Sequence, residues 1–337
     1  MNLYIKENGP SEGYFDALSV IDAGYTFNYI TGGRGIGKTY GFIEYFISRR
    51  IPFVLMRRTQ TEANIQADPL LSGLRKHLNS HGIKAKYDSV ADKKITNVWS
   101  DDGYLLCQIV ALATLARLRG IDFEPSFIVY DEFITEPHVK AMREEGFALK
   151  NAYETINRNR ELEGLAPVRM FCLSNSLNLA NDIFIYNDLV TPAEFLVHEG
   201  KEIYTRGDTL LVIAQHSPIS EKKAGTALYK DDSGEFYKMA IQNKFILNDF
   251  TYVKRIRNLQ EYRCLFGVGD VYLYRHKSRP EYYAAQIRAQ TPNYYGANKN
   301  DLQRFQREQR RIYGRYLDGA IKFDSYETVA LFEKYYK

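Results

Sequence analysis

Residues 32–39 restrict what this chain can fold into more than any other stretch. Gly32, Gly33, Arg34, Gly35, Ile36, Gly37, Lys38 and Thr39 satisfy the pattern G-x-x-x-x-G-K-[ST] in full, and they follow a strand-like run, Tyr25–Ile30. A strand that breaks into a glycine-rich turn and continues as a helix aims several backbone N–H groups and the helix N-terminus at one point, where a polyphosphate settles. A helix is expected next, and Tyr40, Phe42, Ile43, Phe46 and Ile47 supply its apolar pattern. The eight residues are therefore expected to bind a nucleoside triphosphate, with Lys38 on the β- and γ-phosphates and the Thr39 hydroxyl on Mg²⁺.

A Mg²⁺ site of this kind needs a carboxylate, and the apolar run Phe127–Tyr130 ends in Asp131 and Glu132. Delivered by a buried central strand, Asp131 would anchor the metal through a bound water, and Glu132 would serve as general base toward the attacking water. The Asp-Glu order favours ATP hydrolysis over a GTP switch. A guanine-reading pattern does occur at Asn298–Asp301, and a D-x-x-G at Asp231–Gly234, but neither has the required context. The first opens a helix, where Asn298 or Asn300 suits an N-cap, and the second follows a polar stretch.

At 337 residues the chain is long for one domain and comfortable for two. Cys107, Cys172 and Cys264 stand singly in apolar runs, which argues for buried thiols in a reducing cytoplasm and against a disulfide framework or zinc site. The N-terminus is polar and no apolar stretch reaches membrane-spanning length, so neither a signal peptide nor a membrane partner is expected. Charge is uneven. Residues 226–337 hold 20 Lys and Arg against 13 Asp and Glu, net +7, whereas the first 225 hold 25 against 28, net −3, together the +4 of the whole chain. The basic third suits a phosphate-rich polymer or, equally, a solvated face.

Strand patterns at Tyr25–Ile30, Pro52–Arg57, Leu105–Leu112, Phe127–Tyr130 and Val168–Ser174 alternate with helix patterns, which predicts an α/β fold with a mostly parallel sheet. Ligands in such sheets sit at the carboxyl ends of the strands, where Gly32–Thr39, Asp131 and Asn175 all fall. Two more apolar stretches follow, Glu194–His198 and Thr209–Ala214, and then Ser217–Gly225 breaks the pattern. The expected division is a P-loop ATPase domain over 1–216, a linker over 217–227, and a small C-terminal α+β domain over 228–337. That tail carries strand patterns at Tyr252–Ile256, Tyr262–Val268 and Val271–Arg275 and helices at Asp301–Leu317 and Tyr326–Tyr335. On helix 301–317, Leu302, Phe305, Ile312 and Tyr316 form a core stripe. Arg304, Arg307, Arg311 and Arg315 form another row, suited to gripping a nucleic-acid backbone or simply to solvating the helix.

Several arginines are candidates for a finger that neutralises charge during phosphoryl transfer across a subunit boundary: Arg117 and Arg119 ahead of the Asp-Glu strand, Arg158 and Arg160 after it. Leu173-Ser174-Asn175 ends the next apolar strand, where a polar side chain can bond the attacking water or the γ-phosphate.

Gly32–Thr39, Phe127–Phe133, Arg158–Glu161 and Cys172–Asn175 together resemble the DNA-packaging ATPases of small, short-tailed bacteriophages that replicate by protein priming, compact relatives of terminase large subunits. The resemblance covers roughly residues 20–180. It implies a P-loop ATPase of the additional-strand, catalytic-Glu type that uses ATP and Mg²⁺. It further implies a homo-oligomeric ring, a pentamer, at the capsid portal of a prohead in the host cytoplasm, driving double-stranded DNA inward, with a packaging RNA among its partners and no place in the mature virion. Carried over residue by residue, Lys38 and Thr39 hold phosphate and Mg²⁺, Asp131 and Glu132 are metal anchor and base, Arg158 is the finger offered to the neighbouring subunit, and Ser174 and Asn175 are the coupling motif. Arg117 and Arg119 match the basic segment before the Asp-Glu strand.

Two departures stand out. Larger terminases carry a ribonuclease-H-like nuclease with clustered acids on two metals, whereas this tail offers only the scattered Asp249, Asp270, Asp318, Asp324 and Glu327. The resemblance then implies a degenerate ribonuclease-H-like domain kept for DNA or portal binding, without nuclease activity. After the second strand Arg57 and Arg58 keep a basic pair, but Gln60 stands where a lysine would assist nucleotide exchange or DNA contact. Should the row of tail arginines not grip DNA, His138, Lys140 and Arg143 are the next candidates. A nucleotide-gated DNA-binding switch and a RecA-type helicase are the alternatives to the translocase.

Overall fold

Six strands of the first unit are buried on both faces, and that alone fixes their surroundings: a strand with no wet face must lie inside a sheet covered by helices. They are β1 (Phe27–Gly32), β2 (Phe53–Arg57), β5 (Leu105–Ala111), β6 (Phe127–Asp131), β7 (Arg169–Ser174) and β9 (Thr209–Ala214). All their mutual pairings are parallel. The edges are antiparallel hairpin partners, β3 (Ala85–Val90) and β4 (Ile95–Ser100) on one side and β8 (Ile203–Arg206) on the other. The full order is β3-β4-β5-β2-β6-β7-β1-β9-β8. One strand, β7, therefore separates the phosphate-loop strand β1 from the acid-bearing β6, which is the additional-strand arrangement.

The computed structural model describes residues 1–6, 9–115, 123–134, 142, 144–175, 178–179, 181–230, 253–254, 256, 258–291 and 293–336. It divides into two compact units, Met1–Asn178 with Pro192–Phe245, and Leu179–Thr191 with Ile246–Lys337.

The helix Lys38–Ser48 covers the first sheet with Phe42, Ile43, Phe46 and Ile47. Phe46 meets Phe53 and Phe127 at ring distances of 5.1 Å each, and Phe42 meets Phe171 at 4.8 Å, so one helix face clamps β2, β6 and β7 together. The five strands expected to alternate with helices appear within about two residues of their sequence boundaries, whereas the described residues of Tyr252–Ile256 show only an isolated bridge from Val253 to Phe323. The apolar stretch Glu194–His198 lies in a helix, Val190–Glu199. Within 217–227, expected as a linker, Pro218–Ala224 is a helix with proline in its first turn, where the missing N–H costs nothing, and it belongs to the first unit.

The second unit is a five-stranded mixed sheet, order β13-β10-β11-β12-β14. Its strands are β10 (Tyr262–Val268), β11 (Val271–His276), β12 (Tyr282–Ala285), β13 (Tyr294–Tyr295) and β14 (Ile321–Phe323). Phe305, Phe323 and Phe332 are fully buried at its centre. The single helix expected over 301–317 is two, Lys299–Glu308 and Arg310–Leu317. The break is at Gln309, whose carbonyl takes the Tyr336 hydroxyl (3.2 Å) and the tighter i+3 bond from Ile312 N (2.9 Å) instead of continuing the α-helical ladder. Asn298 is the N-cap, accepting from Asp301 N at 3.0 Å, so the guanine-like pattern is a capping device.

Candidate active site

The turn after β1 is built on two glycines in the left-handed region, Gly35 (φ +74°) and Gly37 (φ +96°). A Cβ at Gly37 would meet the Tyr14 ring at 3.0 Å, and one at Gly32 would stand 2.8 Å from that of Ala214 in β9. The glycines are thus required both by backbone sign and by close approach. Lys38, 3 % exposed, turns its ammonium onto the loop itself, donating to the carbonyls of Gly32 (2.8 Å) and Gly33 (2.9 Å) and to Asn175 Oδ1 (3.1 Å). Burial lowers its pKa from 10.5 to about 7, with Asp131 opposing the drop and Lys223 adding to it.

At the end of β6, Asp131 Oδ1 accepts the Thr39 hydroxyl at 2.7 Å. Burial pushes the Asp131 carboxyl up, against the pull of Arg57 and Thr39. The Arg57 guanidinium lies across both acids, 2.5 Å from Asp131 Oδ2 and 2.8 Å from Glu132 Oε2. Glu132 has φ +59°, a conformation unfavourable for a residue with a Cβ. This turn sends Phe133 back into the core, its N–H on Leu173 O at 3.1 Å, while the Glu132 side chain stays 48 % exposed. Asn175 directly follows β7, so the sheet order sets it between the loop and the two acids. Phosphate loop, Thr39, Asp131, Glu132 and Asn175 therefore meet at one edge. A hydroxyl and a carboxylate are few, hard oxygen donors, which suits Mg²⁺ shared with phosphate and water. Lys38 and Arg57 supply the positive charge that a polyphosphate needs.

Arg158 and Arg160 separate cleanly. Arg160 is held within its own unit, Nε on Ala166 O (3.0 Å) and Nη2 on Ser126 Oγ (2.9 Å), and the Arg158 side chain is exposed. The helix Glu145–Asn157 that ends at Arg158 starts from a buried network: Glu145 Oε1 accepts from Arg58 Nε (2.8 Å) and from the Tyr130 hydroxyl (2.6 Å). Gln60 is bonded to Asn64 Oδ1 (2.9 Å), Lys93 O (3.0 Å) and the Thr114 hydroxyl (2.9 Å), all within its own unit.

In the second unit Arg304, Arg307, Arg311 and Arg315 are all exposed, but the break at Gln309 splits them into two pairs on two helices. Arg304 pairs with Asp301 (3.2 Å), and Arg315 lies 4.9 Å over the Tyr282 ring. Asp270 and Asp318 are exposed, while Asp324 accepts Gln286 N–H (3.2 Å). Among the described residues no three His, Cys, Asp or Glu gather as a metal site. Arg117, Arg119, His138, Lys140, Arg143, Asp249 and the Asp231–Gly234 pattern lie outside the described residues.

Two residues at the site carry no role that the sequence pattern specifies, Arg57 and Lys223, the latter donating to Arg34 O. Each comes from an element distant in sequence, although the basic pair at the end of the second strand was visible.

The fold and this site define a P-loop ATPase fold of the additional-strand type. The family model for podovirus DNA encapsidation proteins (Gp16) matches residues 12–270, and the chain belongs to that family. The DNA packaging proteins of Bacillus phages PZA and phi29 are each 24 % identical over 249 residues, spanning 72 % of this chain and 69 % of theirs. A chain of the bacteriophage Phi-29 viral genome packaging motor assembly superposes with a TM-score of 0.64 at 19 % identity, covering 96 % of this chain and 99 % of that one, a likeness that shows the fold.

Proposed function

We propose that this chain hydrolyses ATP to drive double-stranded DNA into a preformed capsid, working as a homo-oligomeric ring, a pentamer, at the portal vertex of a prohead in the host cytoplasm. A portal connector and a packaging RNA are its further partners. The observation that carries the reading is the division of labour across the sheet. The residues we assign to holding and attacking a triphosphate stand at the carboxyl edge of β1, β6 and β7, while Arg158 follows the helix that leads to the opposite edge. Asn157 Oδ1 holds Val168 N–H (2.8 Å) ahead of β7, and Arg160 holds Ser126 ahead of β6. The subunit thus offers a site on one side and an arginine on the other, as a ring requires.

Lys38 binds and orients the terminal phosphates, and Thr39 with Asp131 would hold Mg²⁺. When bound, Mg²⁺ neutralises charge developing on the phosphate oxygens. Glu132 takes a proton from the attacking water once Arg57 releases it, and Asn175 reads whether the γ-phosphate is present. The family membership supports the packaging role. Among the described residues no helix is long and apolar enough to cross a membrane. The second unit, with its basic excess, touches DNA or the portal and does not cut DNA.

The hold of Arg57 on both acids also favours a second reading, a nucleotide-gated switch that hydrolyses about once per binding event. Phosphate release measured with and without DNA and empty proheads separates the two. Sustained, DNA-stimulated turnover supports the motor, and a single stoichiometric burst supports the switch.

A further inference from the structure

The helix Pro218–Ala224 brings a second lysine to the phosphate loop. Lys223 Nζ donates to the carbonyl of Arg34, and it stands 2.7 Å from where a Cβ at Gly35 would be. Glycine at 35 is thus needed for this approach as well as for the turn. The lysine is held from behind: its own carbonyl accepts Thr226 N–H (2.9 Å) and the Thr226 hydroxyl (2.8 Å), and its ammonium faces the Tyr229 ring at 5.8 Å. The helix abuts the N-terminal segment, where a Cβ at Gly13 would meet that of Pro218 at 3.0 Å.

This places two ammonium groups and the Arg34 side chain around one turn of backbone. Each lysine is made harder to protonate, mainly by burial, with Lys223 further opposing charge on Lys38 and Arg34 opposing charge on Lys223. Asp131 supports the Lys38 charge, and its other partners, the Gly32 and Gly33 carbonyls and Asn175 Oδ1, are neutral. Like charges gathered in this way are relieved by an anion. A neutral carbonyl is a weaker partner for an ammonium than a phosphate oxygen, whose negative charge adds Coulomb attraction to the hydrogen bond. A lysine side chain, flexible and with three donors, can exchange one for the other without moving its backbone.

We propose that Lys223 is a second phosphate-binding lysine, which leaves the Arg34 carbonyl for the β- and γ-phosphate oxygens of a nucleoside triphosphate and so fastens the helix Pro218–Ala224 to the bound nucleotide. The terminal phosphates are its target because Lys38, which reads them, bonds the carbonyls of Gly32 and Gly33, next to the carbonyl that Lys223 bonds. The inference rests on the nucleotide-site reading of Gly32–Thr39.

The test is titration of the full chain with the fluorescent nucleotides mant-ATP and mant-ADP in Mg²⁺. Lys223→Met should weaken mant-ATP about 10-fold and mant-ADP less than about 3-fold, Lys223→Arg should keep most of the ATP affinity, and Lys222→Ala, an exposed neighbour, should match wild type. An unchanged ATP-to-ADP ratio in Lys223→Met overturns the inference, as does an equal loss for both nucleotides that Lys223→Arg fails to restore. Wild-type binding that is abolished by Lys38→Ala but untouched by Lys223→Met removes this inference alone. Wild-type binding that ignores Lys38→Ala overturns the nucleotide site and this inference with it.

Discussion

Mixing two defective subunits asks the geometry a direct question. From Ser126, where Arg160 anchors the segment carrying Arg158, to Asp131 is five strand residues, about 16 Å at 3.3 Å per residue. The helix Glu145–Asn157, 13 residues or roughly 20 Å, spans a comparable distance from the buried Arg58–Glu145 pair to Arg158. No arginine side chain covers that span, so Arg158 cannot serve the site of its own subunit. An Arg158→Ala ring should then turn over about 10³- to 10⁵-fold more slowly than wild type, the range measured for arginine fingers. A Glu132→Gln ring should be silent for want of a base. In an equal mixture an interface works only when a Glu132→Gln subunit lends its Arg158 to an Arg158→Ala subunit with an intact Glu132. Random assembly makes about a quarter of interfaces competent, whatever the ring size, and phosphate release should recover toward that fraction. If Arg158 acted within its own subunit, every subunit would carry one defect and mixing would recover nothing. That outcome, with ring assembly of both variants verified by light scattering, refutes the trans assignment.

Lys38→Ala and Asp131→Ala should abolish nucleotide-dependent function, while Glu132→Gln should still bind ATP and retain it unhydrolysed over many wild-type turnovers, as filter binding would report. Near-normal turnover in Glu132→Gln sinks the base assignment. Lys38 also makes the nucleotide-free protein pH-dependent. Its pKa falls from 10.5 in the unfolded chain to about 7 in the fold, so both states are protonated below pH 7, and above it the unfolded chain holds the extra proton. Stability should therefore rise as pH climbs from 7 toward 10.5, by an amount on the order of 5 kcal/mol at most. Lys38→Met should lose that rise in urea melts, and a wild-type melt that tracks Lys38→Met at every pH would refute it. For the second unit, replacing Arg304, Arg307, Arg311 and Arg315 by Gln in the full chain should weaken duplex DNA binding and flatten its salt dependence, by about 0.9 in the log–log slope for each phosphate no longer neutralised. An unchanged slope moves the DNA-binding surface to the first unit.

Much of the site was legible because its signals are local. The phosphate loop writes its own turn chemistry, since Gly35 and Gly37 are needed wherever a backbone must turn left-handed around a phosphate. An apolar run ending in Asp131-Glu132 is readable as a buried strand with its acids at the ligand edge. The edge strands β3, β4 and β8 were not seen, because half-exposed hairpins such as Lys86–Asp88 against Asn97–Trp99 carry too few apolar residues to mark them. The break at Gln309 was invisible for another reason: it depends on the hydroxyl of Tyr336, 27 residues away, reaching a carbonyl mid-helix. Arg57 and Lys223 belong to the same class. Arg57 meets Asp131 only because β2 pairs with β6 in the register Met56↔Tyr130, which sets the two following residues side by side. Sheet order is decided by packing across the whole domain, and no periodicity inside either strand encodes it. Yet the same pairing assigns neighbouring residues opposite tasks. Successive strand residues point to opposite faces. At the end of β2, Arg57 takes the two acids while Arg58 turns to Glu145, at the head of the helix that ends in Arg158. The strand end that holds the two acids thus also holds the helix that ends in Arg158.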